Sequence, residues 1–102
     1  MVHVVAVITT KPGLRDEVLA IFKANVPAVL AEEGCIAYVP TVDAAGFGGS
    51  QVEFGPDSFV VVEEWASRET LKAHAVAPHM KAYGERVKDM LADRAVHVLD
   101  PA

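Results

Sequence analysis

The chain has 102 residues, 52% of them hydrophobic, with nine basic against fourteen acidic side chains and a formal net charge of −5. That is the length of one domain with enough apolar residues for a real core. The acidic balance and the absence of any Lys/Arg run argue against a nucleic-acid or anionic-membrane surface.

A domain of roughly 100 residues keeps about a third of its unfolded surface exposed, so a deep pocket calls for a partner subunit or a sheet edge. One cysteine cannot form an internal disulfide, and Met1 to Thr10 lack a basic leader and a cleavage site, so a cytoplasmic location is the expectation. No apolar run approaches the roughly 20 residues that cross a bilayer.

Val2 to Thr10 (VHVVAVITT) is β-branched and too short for a typical helix, which predicts a strand buried on both faces or nearly so. Lys11-Pro12-Gly13 stops it, and a helix follows. Leu14, Val18, Phe22, Val26, Val29 and Leu30 form its apolar stripe, with a kink expected near Asn25 because Pro27 loses a hydrogen bond. The helix is expected to reach about Glu32, and Gly34 to end it. Cys35 to Val42 and Ser58 to Ala66 read as strands. Between them the glycine-rich Asp43 to Asp57 is either a floppy hairpin tip or a functional loop, in which Gln51 to Phe54 can extend the later strand backwards. Ser67 is placed to cap a short helix to about Ala75. Pro78 opens another, with the stripe Met80, Tyr83, Val87, Met90 and Leu91. Ala95 to Leu99 is the last strand. The order β-α-β-β-α(α)-β is that of a ferredoxin-like α+β sandwich, an antiparallel sheet with helices on one face, and residues 1–102 form a single domain.

Few residues offer chemistry. His74 and His79 are five apart with Pro78 between them, where two ligands on one helical face want three or four, and His3 and His97 approach only if the first and last strands are neighbours. No metal site is expected. Cys35 has no basic neighbour in sequence and reads as a core residue. The glycine-rich stretch lacks a phosphate-loop ending. Strand alternation puts Phe59, Val61, Glu63 and Trp65 on one face and Val60, Val62, Glu64 and Ala66 on the other. A carboxylate inside so apolar a strand must be paired, solvated or exposed, which marks Glu63 and Glu64. Leu71, His74 and Ala75 share a helix face, which makes His74 the leading general base or acid of the chain.

Several short motifs recur in order: Lys11-Pro12-Gly13, Glu32-Glu33-Gly34-Cys35-Ile36-Ala37-Tyr38, Phe59-Val60-Val61-Val62-Glu63-Glu64-Trp65, Leu71-Lys72-Ala73-His74 and Pro78-His79-Met80. Together they resemble the antibiotic biosynthesis monooxygenase domain family over nearly the whole chain. The resemblance implies a homodimer in which two sheets pack into an α/β barrel. It also implies an activity from among quinol and polyketide oxygenases working without metal or flavin, haem-degrading enzymes, an isomerase of a phosphorylated sugar derivative, and members with no known activity. It assigns Glu63 as the family's strand carboxylate, Trp65 as its strand aromatic, Tyr38 as the tyrosine after the Gly-Cys turn, and His74 as the histidine ending the short helix. The haem-degrading branch carries an asparagine, a tryptophan and a histidine where this chain has Ala6, His74 and Gly84, which disfavours haem.

The reading that follows is a cofactor-independent monooxygenase acting with O2 on a small aromatic quinol or phenol. His74 and Glu63 are its catalytic pair, Glu63 orienting His74 or a dimer contact, and Tyr38, Trp65, His79 and Tyr83 are its substrate-binding residues. An isomerase or lyase of small carbonyl compounds and a non-catalytic dimeric binding module are the alternatives.

Overall fold

The strand β1, Val2–Thr10, alternates buried and half-buried residues along all nine positions, because successive side chains of a strand point to opposite faces. The expectation of burial on both faces is therefore corrected: the face carrying His3, Val5, Val7 and Thr9 stays partly open. The computed structural model describes residues 1–102. After β1 come α1 (Arg15–Leu30), β2 (Cys35–Thr41), β3 (Ser58–Trp65), α2 (Arg68–Ala75), α3 (Pro78–Val87), a 3-10 turn (Lys88–Met90) and β4 (Leu91–Leu99). All pairings are antiparallel and the strand order is β2-β3-β1-β4. This is the ferredoxin-like α+β fold read from the sequence. No helix is long and apolar enough to cross a membrane.

The inner sheet face carries Val2, Val4, Ala6 and Ile8 opposite Trp65, Glu63, Val61 and Phe59. The helix α1 packs over the β2 side of this face. Its Val18, Leu19, Phe22 and Val29 are buried, whereas Leu30, expected on the stripe, is exposed. Phe22 is the hub: its ring stacks on Tyr38 at 5.3 Å and meets Phe59 and Tyr83 edge-on. No break occurs at Pro27, which lies inside a continuous helix. Pro27 has no N–H to offer the Lys23 carbonyl, so one ladder bond is missing there, while its own carbonyl accepts from Ala31 and the helix runs on to Leu30.

The expected stripe of α3 overran the helix. Met90 closes the 3-10 turn and Leu91 opens β4, which begins four residues earlier than Ala95. Residues 43–57 form no strand, so Gln51 to Phe54 do not extend β3. The loop is nevertheless tied at its base: the backbone N–H groups of Phe54 and Gly55 donate to the Asp43 carboxylate at 3.0 and 2.9 Å and hold its pKa below the usual value.

Two local devices set α2 against the α1–β2 turn. Ser67 and Thr70 form a reciprocal capping box at the start of α2. Gly34 has φ +81°, and a Cβ there would lie 2.5 Å from the Thr70 side chain. Gly13 has a similar φ of +80° with nothing near it. Gly13→Ala is therefore expected to cost only the left-handed backbone penalty, about 1–2 kcal/mol. Gly34→Ala adds a clash against a capping residue and should lose a further 1–3 kcal/mol or so. Urea denaturation of the two variants tests this; equal losses would show that the turn does not abut α2.

Candidate active site

α1 covers the β2 half of the inner face and leaves the β4 half to α2 and α3, which stand away from it. Between them lies a cavity of about 650 Å³. Its floor is apolar, with Val4, Ala6, Ile8 and Val61 from the sheet and Val96 and Val98 from β4. The last two are 44% and 51% exposed, so the cavity opens along the edge strand.

Tyr38, Glu63, His74 and Tyr83 all line this space. Helical spacing brings Leu71 and Ala75 into it beside His74. Two other expected site residues do not line it. Trp65 is fully buried behind His74, its ring 4.7 Å from the imidazole, because it lies at the end of β3 under the α1–β2 turn. His79 begins α3 on the side facing α1 and borders a separate cleft of about 260 Å³ with Asn25 and Arg86. None of residues 43–57 reaches the cavity.

The carboxylate that holds His74 is Glu32, which corrects the role given to Glu63. His74 Nδ1 lies 2.7 Å from Glu32 Oε2, and His79 Nε2 lies 3.2 Å from the same oxygen. Asn25 Nδ2 donates to His79 Nδ1 at 3.1 Å. Glu32 sits in the turn after α1, fixed by its N–H to Val29 and by its carbonyl, which accepts from Cys35. Glu32 stands in the Glu32-Glu33-Gly34-Cys35 stretch, where nothing local in the sequence marks it as the partner of a residue 42 positions away. With Nδ1 engaged by a carboxylate, the nitrogen that His74 has left for chemistry is Nε2.

Glu63, 6% exposed, accepts from Trp65 Nε1 at 2.9 Å. Burial raises its pKa, with Trp65, His74 and Arg94 pulling the other way. Burial also raises the pKa of Tyr38 far above the ordinary tyrosine range, helped by the Glu63 charge, and pushes Tyr83 up to about 12. Both tyrosines therefore keep their protons at neutral pH and serve as hydrogen-bond donors and aromatic walls. Burial, then the charges of Glu32 and Glu63, raise the Cys35 thiol, which suits a packing residue. His3 and His97 lie diagonally across the β1–β4 pair on the outer face, away from the cavity.

A four-stranded ferredoxin-like sheet whose inner face shares an apolar cavity with a carboxylate-held histidine is a candidate small-molecule site on a scaffold of this size. The chain belongs to the antibiotic biosynthesis monooxygenase family, whose sequence profile matches residues 1–86. It is 46% identical over 103 residues to the "Probable quinol monooxygenase YgiN" of Escherichia coli strain K12, covering 99% of this chain and 98% of that protein. Among solved structures it resembles a crystal structure titled as an antibiotic biosynthesis monooxygenase, with TM-score 0.82 and 27% identity over 100% of this chain and 99% of the other. Rv0793 from Mycobacterium tuberculosis aligns with TM-score 0.80 and 29% identity over 99% and 94%.

The raised Glu63 pKa has a signed consequence. Above 4.5 this residue ionises in the unfolded chain while the folded chain still holds its proton. The folded state then binds more protons, and its stability falls as pH rises from 4.5 through the raised folded value. Glu63→Gln removes that slope, so the variant should gain on the parent across this window and keep a constant difference below it. Urea titrations at a series of pH values check this; curves that stay parallel throughout would refute it.

Proposed function

We propose that the protein is a monooxygenase that oxidises a small aromatic quinol or phenol with O2. The observation that carries this reading is His74, pinned through Nδ1 by Glu32 and presented to an apolar cavity of about 650 Å³. The family and the quinol monooxygenase relative support the reaction class.

An electron-rich hydroquinone needs little from the protein. Its phenolate transfers an electron to oxygen far more readily than the phenol does, so the protein must supply a base, an oriented slot and exclusion of water. His74 Nε2 takes the phenolic proton. The phenolate and O2 exchange one electron and recombine, forming a bond from a ring carbon bearing hydrogen to oxygen. The peroxide anion takes back the proton that His74 held. The O–O bond of that hydroperoxide then breaks as the carbon gives its hydrogen as a proton to His74, leaving a hydroxyquinone, and the departing hydroxide takes that proton and leaves as water. One quinol and one O2 give one hydroxyquinone and one water, and all electrons come from the substrate. Tyr38 and Tyr83 flank the ring. Small residues at Ala6 and Gly84 leave room for it on opposite walls. Trp65 and Glu63 act from behind: the indole backs the imidazole and holds the buried carboxylate. Glu32 orients His74 and thereby takes the part first expected of Glu63.

The same reading includes a homodimer. The outer sheet face sets Val39 and Val5 on either side of Val62, and Val39 and Val62 are about half exposed. Burying such a face against a second copy removes apolar area from water at about 25 cal/mol per Å².

On 1,4-naphthohydroquinone, an oxygen electrode should record uptake above the spontaneous rate. His74→Ala should cut it about 10²- to 10⁴-fold, and Glu32→Gln should cut it less while leaving the protein folded. Unchanged uptake in His74→Ala would remove the proposed base, and turnover without oxygen would assign the same histidine to proton transfer within a carbonyl compound. Sedimentation should give a dimer, and Val62→Lys should shift it to monomer; a parent chain that sediments as a monomer would refute the pairing.

A further inference from the structure

The chain is acidic overall, yet its cavity reverses the balance. Arg68, Lys72, Lys81, Lys88 and Arg94 line it, five of the nine basic residues, against Glu63 alone of the fourteen acidic ones. All five cations are exposed and Glu63 is buried, so the positive charge sits towards the mouth. Two are neutralised locally: Arg68 pairs with Asp100, and Lys88 with Glu85 at 2.8 Å.

Lys72, Lys81 and Arg94 make no ion pair. They come from α2, α3 and β4, three elements that all border this cavity. Arg94 lies opposite Ile8 on the inner face of the sheet and has no hydrogen-bond partner. Its charge is felt inside the cavity, where it opposes the effect of burial on both Glu63 and Tyr83. Unpaired cations around a low-dielectric cleft focus a positive potential into it, and the planar fork of an arginine matches a carboxylate with two parallel hydrogen bonds. An uncharged quinol would leave this potential unused.

We infer that the substrate is an aromatic acid: its ring lies on the apolar floor before His74, and its carboxylate is seated on Arg94, with Lys72 and Lys81 closing around it. The inference deepens the quinol reading and rests on it for the aromatic ring and for the role of His74.

The test is calorimetric binding of two probes that the protein need not oxidise, 1-naphthol and 4-hydroxy-2-naphthoate, to the full chain. The carboxylate should bind about tenfold tighter at low salt, as expected for one charge-assisted contact. Added salt should shrink that advantage. Arg94→Gln should erase most of it, and Lys72→Gln with Lys81→Gln should reduce it. Lys23→Gln, which removes the same charge from α1 away from the cavity, should leave it intact. Equal affinity for the two probes, no binding of the carboxylate, or an advantage that survives Arg94→Gln would overturn the inference. Because these probes report binding alone, oxygen uptake on naphthohydroquinone and its carboxylate separates the two readings. Tight, Arg94-dependent binding without uptake on either quinol keeps the anion site and removes the oxygenase.

Discussion

A single carboxylate oxygen joins three helical segments of this fold. Glu32 Oε2, on the turn after α1, faces His74 of α2 and His79 of α3 at once. Its side chain is only 16% exposed, and a carboxylate so far removed from water is costly unless paired. The His74 imidazole supplies that pairing through a hydrogen bond, and the nearby His79 ring adds a longer approach from α3, so both helices meet the turn at one oxygen. α2, with eight residues, is too short to hold its shape alone in water. Its capping box fixes one end and the Glu32 contact fixes the other. The site and the packing of the helical layer therefore share one interaction.

What the helices leave uncovered matters as much as what they cover. α1 fills the β2 half of the inner sheet face with a close aromatic and aliphatic core, centred on Phe22 against Tyr38 and Phe59. On the β4 half the helices stand off, and the valines of β4 that face inward are half exposed instead of packed. A chain of this length was expected to need a partner subunit or a sheet edge for a deep pocket. It uses the edge: a single sheet face is divided between core and a cavity that opens along β4, with Glu63 and His74 near the boundary.

The strands were legible because their alternation is local. Phe59, Val61, Glu63 and Trp65 fall on one face by counting alone, and the shared face of Leu71, His74 and Ala75 follows from helical spacing. Glu32 could not be found in this way: its contact with His74 spans 42 residues and depends on how the α1–β2 turn meets α2. Glu63 stood out as a carboxylate inside an apolar strand, and the fold gives that carboxylate to the Trp65 indole two residues away. Arg94 escaped notice for a different reason. The apolar rhythm of α3 continues through Met90 and Leu91 after the helix has ended, which delayed the expected start of the last strand to Ala95 and left Arg94 outside it. Trp65 and His79 were assigned to the right neighbourhood but the wrong side of the wall, since residue type alone does not say which of two packed layers meets the solvent.

The position of Trp65 has one more consequence. It is the sole tryptophan of the chain, wholly buried, and its indole lies against the imidazole of His74. A protonated imidazole in contact with an indole quenches its emission more strongly than a neutral one. The protein thus carries a built-in optical reporter on the charge state of its candidate base, readable in the unmodified chain without label or substrate.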